Sequence, residues 1–447
     1  RGLRGVWVLL RFHLAWARRA LRKLLLVSPP RRSTKSTRSL TETTQVVVVD
    51  GIGSSITGES CLTASLRLGK ARLMKYRPID SQLFVSNRSR LRDQLKPNSL
   101  VILHANDVAP TNADGTMRFR QNSDLFYLSG VDQEQTVLVL FPDAPDEKQR
   151  EMLFVRETSD LIKVWEGAKL TKEQATEVTG IHEVHWLDEF PKYLRLLMIQ
   201  AEHVYLNLNE HPRAEILMES REARFAKEGQ AAYPLHHYER LAPVVSALRQ
   251  IKQPVEIDLI KEACEITKKG FERLLGFVKP GVGEWEVEAE LAHEFLRNRS
   301  NHFAYEPIIA SGAGACTLHY LDNDQVCQDG DMLLLDVAAE YANYNSDLTR
   351  TIPVNGKFTE RQRQVYDAVL RVFRQAVDWL APGMVLKPYQ DQVGKLMEGE
   401  LIELGLLKAE EVADQDPDKP LFKKYFMHGT AHHIGLDVHD VGDTWRP

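Results

Sequence analysis

His428, His432, His433 and His439 fall within a dozen residues near the end of the 447-residue chain, in the run His428-Gly-Thr-Ala-His432-His433-Ile-Gly-Leu-Asp-Val-His439-Asp440. Asp336 and Asp347 stand about a hundred residues earlier, on what read as adjacent strands. Carboxylate oxygens and imidazole nitrogens brought together in this way suit a hard or borderline divalent cation. Asp336 lies inside the apolar run 332–337, and Asp347 inside the alternating stretch 344–354. A reversal around Tyr341-Ala342 would make the two aspartates cross-strand partners, with Cβ atoms about 4.5–5.5 Å apart. Like charges at that distance repel, and burial raises the cost of ionising both. A bound divalent cation reverses the sign. On spacing alone, one aspartate can equally be a solvent-facing strand residue and the other a turn cap. The histidine run, read alone, can be a hydrogen-bonded loop, although Gly429 and Gly435 permit the close backbone approach that a site needs. His319 adds a fifth candidate histidine, on the strand expected before Asp336.

These residues need a frame to hold them. Strands are expected at 99–104, 136–141, 152–156 and 204–208, alternating with helical stretches such as 80–97 and 171–178. That alternation predicts an α/β domain over 75–225. Residues 213–240 read as a helical, polar connector. A second domain begins at 243. It opens with a helix over 254–277 that carries Ile257, Ile260, Ala263, Phe271 and Leu274, is broken at Lys279-Pro280-Gly281, and resumes over 284–296. The pattern returns as a helix over 360–380, a break at Ala381-Pro382-Gly383 and a helix over 386–404. Helix, Pro-Gly turn and helix, twice over, predicts two pseudo-equivalent halves. Strands at 307–310, 332–337 and 344–354 lie between.

Composition narrows the class. Hydrophobic residues make up 43% and charged residues 27%, as in a globular protein with solvated surfaces. Residues 1–73 contain 14 Lys and Arg against 3 Asp and Glu, which leaves −16 for the remainder of a chain of formal net charge −5. So acidic a body argues against nucleic acid as the partner. Cys61, Cys264, Cys316 and Cys327 are scattered and form no CxxC pair, which points to a reducing compartment rather than a disulfide scaffold. The first 73 residues form a basic amphipathic pattern, with Arg4, Arg11 and Arg18 at seven-residue spacing, too short for a membrane span. They read either as a presequence, Arg-rich and acid-poor, or as an extension foreign to the native protein with Met74 as its start. The location expected is cytoplasmic, or mitochondrial if the presequence is genuine.

With these motifs in hand, residues from about 75 to 447 resemble the Xaa-Pro aminopeptidases (aminopeptidase P) of the pita-bread metallopeptidase class. Four ordered motifs carry the resemblance: Phe119-Arg120-Gln121-Asn122-Ser123-Asp124-Leu125-Phe126-Tyr127-Leu128-Ser129-Gly130, then Gly314-Ala315-Cys316-Thr317-Leu318-His319-Tyr320, then Leu335-Asp336 with Asn345-Ser346-Asp347-Leu348-Thr349-Arg350-Thr351, then the segment from His428 to Asp440. The resemblance implies an α/β N-terminal domain followed by an α+β pita-bread catalytic domain. It implies two divalent metal ions, of which Mn²⁺ is typical of the family. Asp336 would ligate one ion, Asp347 would bridge both, and His432 would ligate the other. His319, His428 and His439 would hold substrate and steady the tetrahedral intermediate, and Tyr305 would stand near the metal-bound solvent. Phe126 and Tyr127 would shape a substrate pocket, in a neighbouring subunit if the chain is a homo-oligomer as family members often are. His433 occupies a position usually aromatic in the family and is not counted as a ligand. The implied reaction is hydrolysis of the bond before a second-position proline, by a hydroxide bridging the two ions. Prolidase, which accepts only dipeptides, and a non-catalytic pita-bread protein that binds peptides are the competing readings.

The family draws two further ligands, both glutamates, from strands after the histidine segment. After His439 this sequence offers only Asp440 and Asp443. The expectation is therefore a fragment lacking the last strands of the catalytic sheet, with exposed apolar surface, weak or mononuclear metal binding and little turnover.

Overall fold

Residues 76–442 are described by the computed structural model. The basic segment 1–73, the start assigned at Met74, and Asp443 lie outside the described residues. Among the described residues no helix is long and apolar enough to cross a membrane.

The first domain is built on a six-stranded mixed sheet of β1 (Ser99–His104), β2 (Val137–Leu140), β3 (Glu151–Val155), β4 (Glu183–Trp186), β5 (His203–Leu206) and β6 (His237–Arg240), in the order β4-β3-β2-β1-β5-β6. β1 and β2 are buried at every position, as continuous apolar runs such as Val137-Leu138-Val139-Leu140 require when both faces are covered. Leu100, Ile102, Val139 and Phe154 meet Phe190, Leu197 and Phe225 of the helices Phe190–Gln200 and Arg221–Ala232 on one face. β6 lies within the stretch read from sequence as a helical connector. Its residues His237, Tyr238, Glu239 and Arg240 are half-buried or exposed, so the strand has no apolar signature, yet it pairs in parallel with β5. The sheet therefore continues to Arg240.

The Arg120–Gly130 stretch forms a short helix, Ser123–Ser129, whose polar residues all have structural work. The Asn122 side chain caps it by accepting from the backbone N–H groups of Asp124 and Leu125. Gln121 donates to the carbonyls of Val131 and Gln133, and Arg120 to that of Phe303 in the second domain. Gly130 ends the helix at φ 71°, with the Phe84 ring occupying the space where a Cβ would stand.

The second domain begins with the helix Pro254–Phe277, opened by a Gln253/Glu256 capping box with Pro254 at its first turn. Ile260, Ala263, Thr267, Gly270, Phe271 and Leu274 are its buried stripe. They pack on Val287, Leu291 and Phe295 of the helix Glu284–Arg297, and Phe295 lies against Gly270 so closely that a Cβ there would clash. Later, Glu360–Asp378 and Leu386–Glu403 pair through Val372, Ala376, Tyr389, Val393 and Met397. Gly281 and Gly383 at the two breaks share a left-handed backbone, φ 93° and 91°. This is the backbone signature of the repeated unit expected from sequence.

Between the helix pairs, β7 (Ile308–Ser311), β8 (Met332–Asp336) and β11 (Thr349–Pro353) form an antiparallel sheet in the order β11-β8-β7. β9 (Glu340–Tyr341) and β10 (Tyr344–Asn345) form the hairpin that joins β8 to β11. The hairpin turns at Ala342 and Asn343, both with positive φ as a two-residue primed turn requires. The reversal thus sits one residue later than expected, and the partner of Asp336 is Thr349, not Asp347. Moving a turn by one residue moves every cross-strand partner by two. Side chains alternate with period two, so Asp347 keeps its face and becomes the diagonal neighbour of Asp336. His319 is likewise not on a strand but on an exposed turn following the 3-10 stretch Gly312–Cys316.

Gly130→Ala is expected to destabilise the protein by at least about 2 kcal/mol, since strained backbone and overpacking each cost of that order. Urea unfolding measures this, and an unchanged midpoint would show that Phe84 and the turn adapt freely.

Candidate metal and peptidase site

Asp336 ends the central strand β8, and Asp347 precedes β11. Tyr305 stands between them. Its hydroxyl donates to Asp336 Oδ1 at 2.6 Å and lies 3.2 Å from Asp347 Oδ1. Burial and the two carboxylates push the Tyr305 hydroxyl well above its ordinary pKa, so it stays a donor. Burial also raises the Asp336 carboxyl, with the Tyr305 hydrogen bond opposing and Asp347 adding to the rise.

His432 completes the constellation from the histidine segment. Its Nε2 lies 2.9 Å from Asp347 Oδ2 and its Nδ1 2.8 Å from the carbonyl oxygen of His433. Both contacts are to oxygens, which favours the protonated ring. Burial alone would lower its pKa; the hydrogen bonds to Asp347 and the His433 carbonyl outweigh that, and the net direction is up. His439 packs edge-on against His432, with ring centroids 4.4 Å apart. Its Nδ1 receives an N–H from Arg213 at 3.2 Å, which leaves Nε2 as the protonated nitrogen of a neutral ring. Burial, then the nearby His432 and Arg213 charges, pushes its pKa down to about 4.

The remaining candidates are spread more widely. His428 is exposed and contacts the carbonyl of Gly429. His319 is exposed. His433 lies beside Gly442. Phe126 and Tyr127 have no exposed surface: Phe126 packs edge-on against Phe84, and the Tyr127 hydroxyl accepts from Arg90 at 2.7 Å.

What holds the histidine segment is a buried ion cluster that the sequence did not reveal. Arg249, 3% exposed on the helix Ala242–Gln250, reaches Asp124 at 2.7 Å and both Asp437 and Asp440 at 2.6 Å. Lys252 also contacts Asp440, and Ser123 donates to Asp437 at 2.8 Å. Burial opposes the Arg249 charge, but the three carboxylates more than compensate and raise its pKa. The Asn345 side chain donates to the carbonyls of Gly435 and Leu436, tying the same segment to the β9–β10 hairpin. Asp124 lies inside a motif that sequence comparison finds; Arg249 and Arg213 carry no such signal.

Two carboxylates, one imidazole and a hydroxyl form a donor set of the type that binds a hard or borderline divalent ion. Among the described residues no three His, Cys, Asp or Glu side chains are close enough to enclose an ion as they stand. The Tyr305 hydroxyl contacts both aspartates, and His432 Nε2 is hydrogen-bonded to Asp347. The donor chemistry fits a divalent cation, whose binding would require His432 to give up a proton.

A pita-bread fold with this site defines a metallopeptidase. Residues 258–447 match the model of "Metallopeptidase family M24", and residues 84–205 that of "Aminopeptidase P, N-terminal domain". The Xaa-Pro aminopeptidase of Haemophilus influenzae is 33% identical over 359 residues, covering 80% of either chain. That of Escherichia coli is 33% identical over 368 residues, covering 81% of this chain and 82% of its own. The E. coli aminopeptidase P structure with the inhibitor Pro-Leu superposes with a TM-score of 0.71 at 32% identity, over 82% of this chain and 83% of that one. The chain belongs to the aminopeptidase P family of metallopeptidases. It is by that membership a metal-dependent exopeptidase, and the family implies divalent metal ions.

Two outcomes follow from the geometry. Arg249→Met leaves three carboxylates around an uncharged side chain and is expected to cost about 3–5 kcal/mol, read from chemical unfolding; a loss below about 1 kcal/mol would mean the cluster is dispensable. Mn²⁺ must displace the His432 proton, whose pKa is raised above 6.5. Its affinity is therefore expected to increase as pH rises through and beyond about 6.5, with proton release, and to level off once the ring is neutral. Isothermal titration in buffers of different ionisation enthalpy measures this; affinity independent of pH with no proton release would contradict the assignment.

Proposed function

We propose that the chain releases the first residue from peptides with proline in second position, using divalent ions, Mn²⁺ by resemblance, held by Asp336, Asp347 and His432. The observation that carries this reading is the meeting of the two aspartates, bridged by Tyr305, with the His432 imidazole. A divalent ion held there supplies Lewis acidity toward the scissile carbonyl and lowers the pKa of water.

The chain's own groups prepare the rest. The His433 carbonyl fixes the His432 ring by holding Nδ1–H, so that Nε2 faces Asp347. With a pKa near 4, His439 remains neutral across the pH range 5 to 8 and offers Nε2–H as a hydrogen-bond donor. We assign that donor to the oxygen of the tetrahedral intermediate, where a hydrogen bond strengthens as charge develops. His319 and His428 are assigned by resemblance to substrate holding. Tyr305 keeps its proton and donates it as a hydrogen bond to Asp336. Phe126 and Tyr127 are better assigned to packing than to a substrate pocket, because neither has any exposed surface.

The bond attacked precedes proline, whose nitrogen has no N–H to donate. Water adds to the carbonyl carbon, the C–N bond breaks, and the proline nitrogen leaves with a proton. Binding of Pro-Leu by the E. coli relative supports a product side that accepts a free imino group. Free Cys264, Cys316 and Cys327 support a reducing compartment, which we take as cytoplasmic, or mitochondrial if residues 1–73 are a presequence. Self-association into a homo-oligomer is carried over from the family.

With Mn²⁺ present, the expected activity is slow release of the first residue from Xaa-Pro-Xaa tripeptides, abolished by Asp336→Asn. Cleavage of Xaa-Pro dipeptides but not tripeptides would identify a prolidase instead. Activity that survives both chelation and Asp336→Asn would overturn the metal site.

A further inference from the structure

The segment between β5 and the helix Arg221–Ala232 crosses to the histidine segment, and one side chain makes the connection. Arg213 is exposed, and its Nη1 donates to His439 Nδ1 at 3.2 Å. Local bonds shape the turn that presents it. His211 N donates to Asn209 Oδ1, Arg213 N donates to His211 Nδ1 at 3.2 Å, and Ala214 N donates to the carbonyl of His211. Among the described residues Arg213 takes part in no ion pair, unlike Arg249, which is matched to three carboxylates. A guanidinium carries five N–H donors in a planar fork, and only one is engaged here.

A guanidinium with no ion pair among the described residues, beside the imidazole assigned to the reacting oxygen, is suited to a carboxylate. A peptide substrate offers one at its C-terminus. In an extended Xaa-Pro-Xaa tripeptide that group lies two residues beyond the scissile carbonyl, on the order of 7 Å away. In a long peptide it lies far outside the site.

We propose that Arg213 is a specificity-determining residue that pairs with the C-terminal carboxylate of short peptides, so that the site favours tripeptide-sized substrates with a free C-terminus. This rests on the aminopeptidase reading above. The alternative role, a prop that only orients His439, makes no distinction between ligands with and without a terminal charge.

The test is a comparison of Pro-Leu with Pro-Leu amide, measured by isothermal titration against the full chain in Mn²⁺. The same pair is then measured with Arg213→Gln and Arg213→Lys. The unmutated protein is expected to bind the acid at least tenfold more tightly than the amide. Arg213→Gln is expected to reduce that ratio to about twofold or less by weakening the acid alone, and Arg213→Lys to retain an intermediate ratio. Because the readout is a ratio within each variant, a general loss of site order does not mimic it. A ratio unchanged by Arg213→Gln, or equal binding of acid and amide by a protein that still cleaves Xaa-Pro-Xaa, would overturn the carboxylate anchor alone. Failure to bind either ligand together with failure to cleave Xaa-Pro-Xaa would overturn the aminopeptidase reading and the anchor with it.

Discussion

A single buried guanidinium organises this molecule. Arg249 has no solvent to share its charge with, and the three carboxylates that neutralise it come from different parts of the chain: Asp124 from the first domain, Asp437 and Asp440 from the histidine segment. Burying such a group is costly unless every partner is in place. The histidine segment has no regular secondary structure to hold it, so its path depends on side-chain anchors. Asp437 and Asp440 bracket His439, and Asn345 holds the backbone between His432 and Asp437. The ion cluster thereby fixes the segment that delivers His432 to Asp347.

The candidate metal site shows the complementary electrostatics. Two aspartates share one face of a twisted antiparallel pair, an arrangement that is unfavourable for two bare charges. The chain relieves it with hydrogen bonds: the Tyr305 hydroxyl to Asp336 and the His432 ring to Asp347. In the proposed site a divalent ion would take the place of these hydrogen bonds. His439 follows a different logic. Flanked by His432 and Arg213, it is held neutral and directed, which makes it a hydrogen-bond donor rather than a proton carrier.

Much of this was legible from residue order. Apolar runs such as 99–104 and the helix from Pro254 to Phe277 appear where periodicity placed them, because burial decides both. Asp336 was visible as a carboxylate in a strand, whereas Asp347 lies in a break between β10 and β11 within the single strand expected at 344–354; the meeting of the pair with His432 follows the family motifs. The register was misplaced by one turn residue, because Ala342 and Asn343 carry no sequence mark for the positive φ that they share. β6 was missed because a polar edge strand has no alternation to detect. Neither Arg249 nor Arg213 could be found by pattern: an arginine in a helix or a connector looks solvated until the fold supplies its partners. Phe126 and Tyr127 show the reverse limit, since a family motif does not say whether an aromatic residue faces a ligand or its own core.

The central claim is that Asp336, Asp347 and His432 converge on one cation-filled pocket. Anomalous diffraction from crystals soaked in Mn²⁺, collected at the manganese edge, tests it most directly. The account requires a manganese peak bounded by the Asp336 and Asp347 carboxylates, with His432 Nε2 turned from its proton-bridged contact to the metal. A fully loaded crystal with manganese elsewhere, and with the Tyr305 and His432 hydrogen bonds to the aspartates intact, would contradict it.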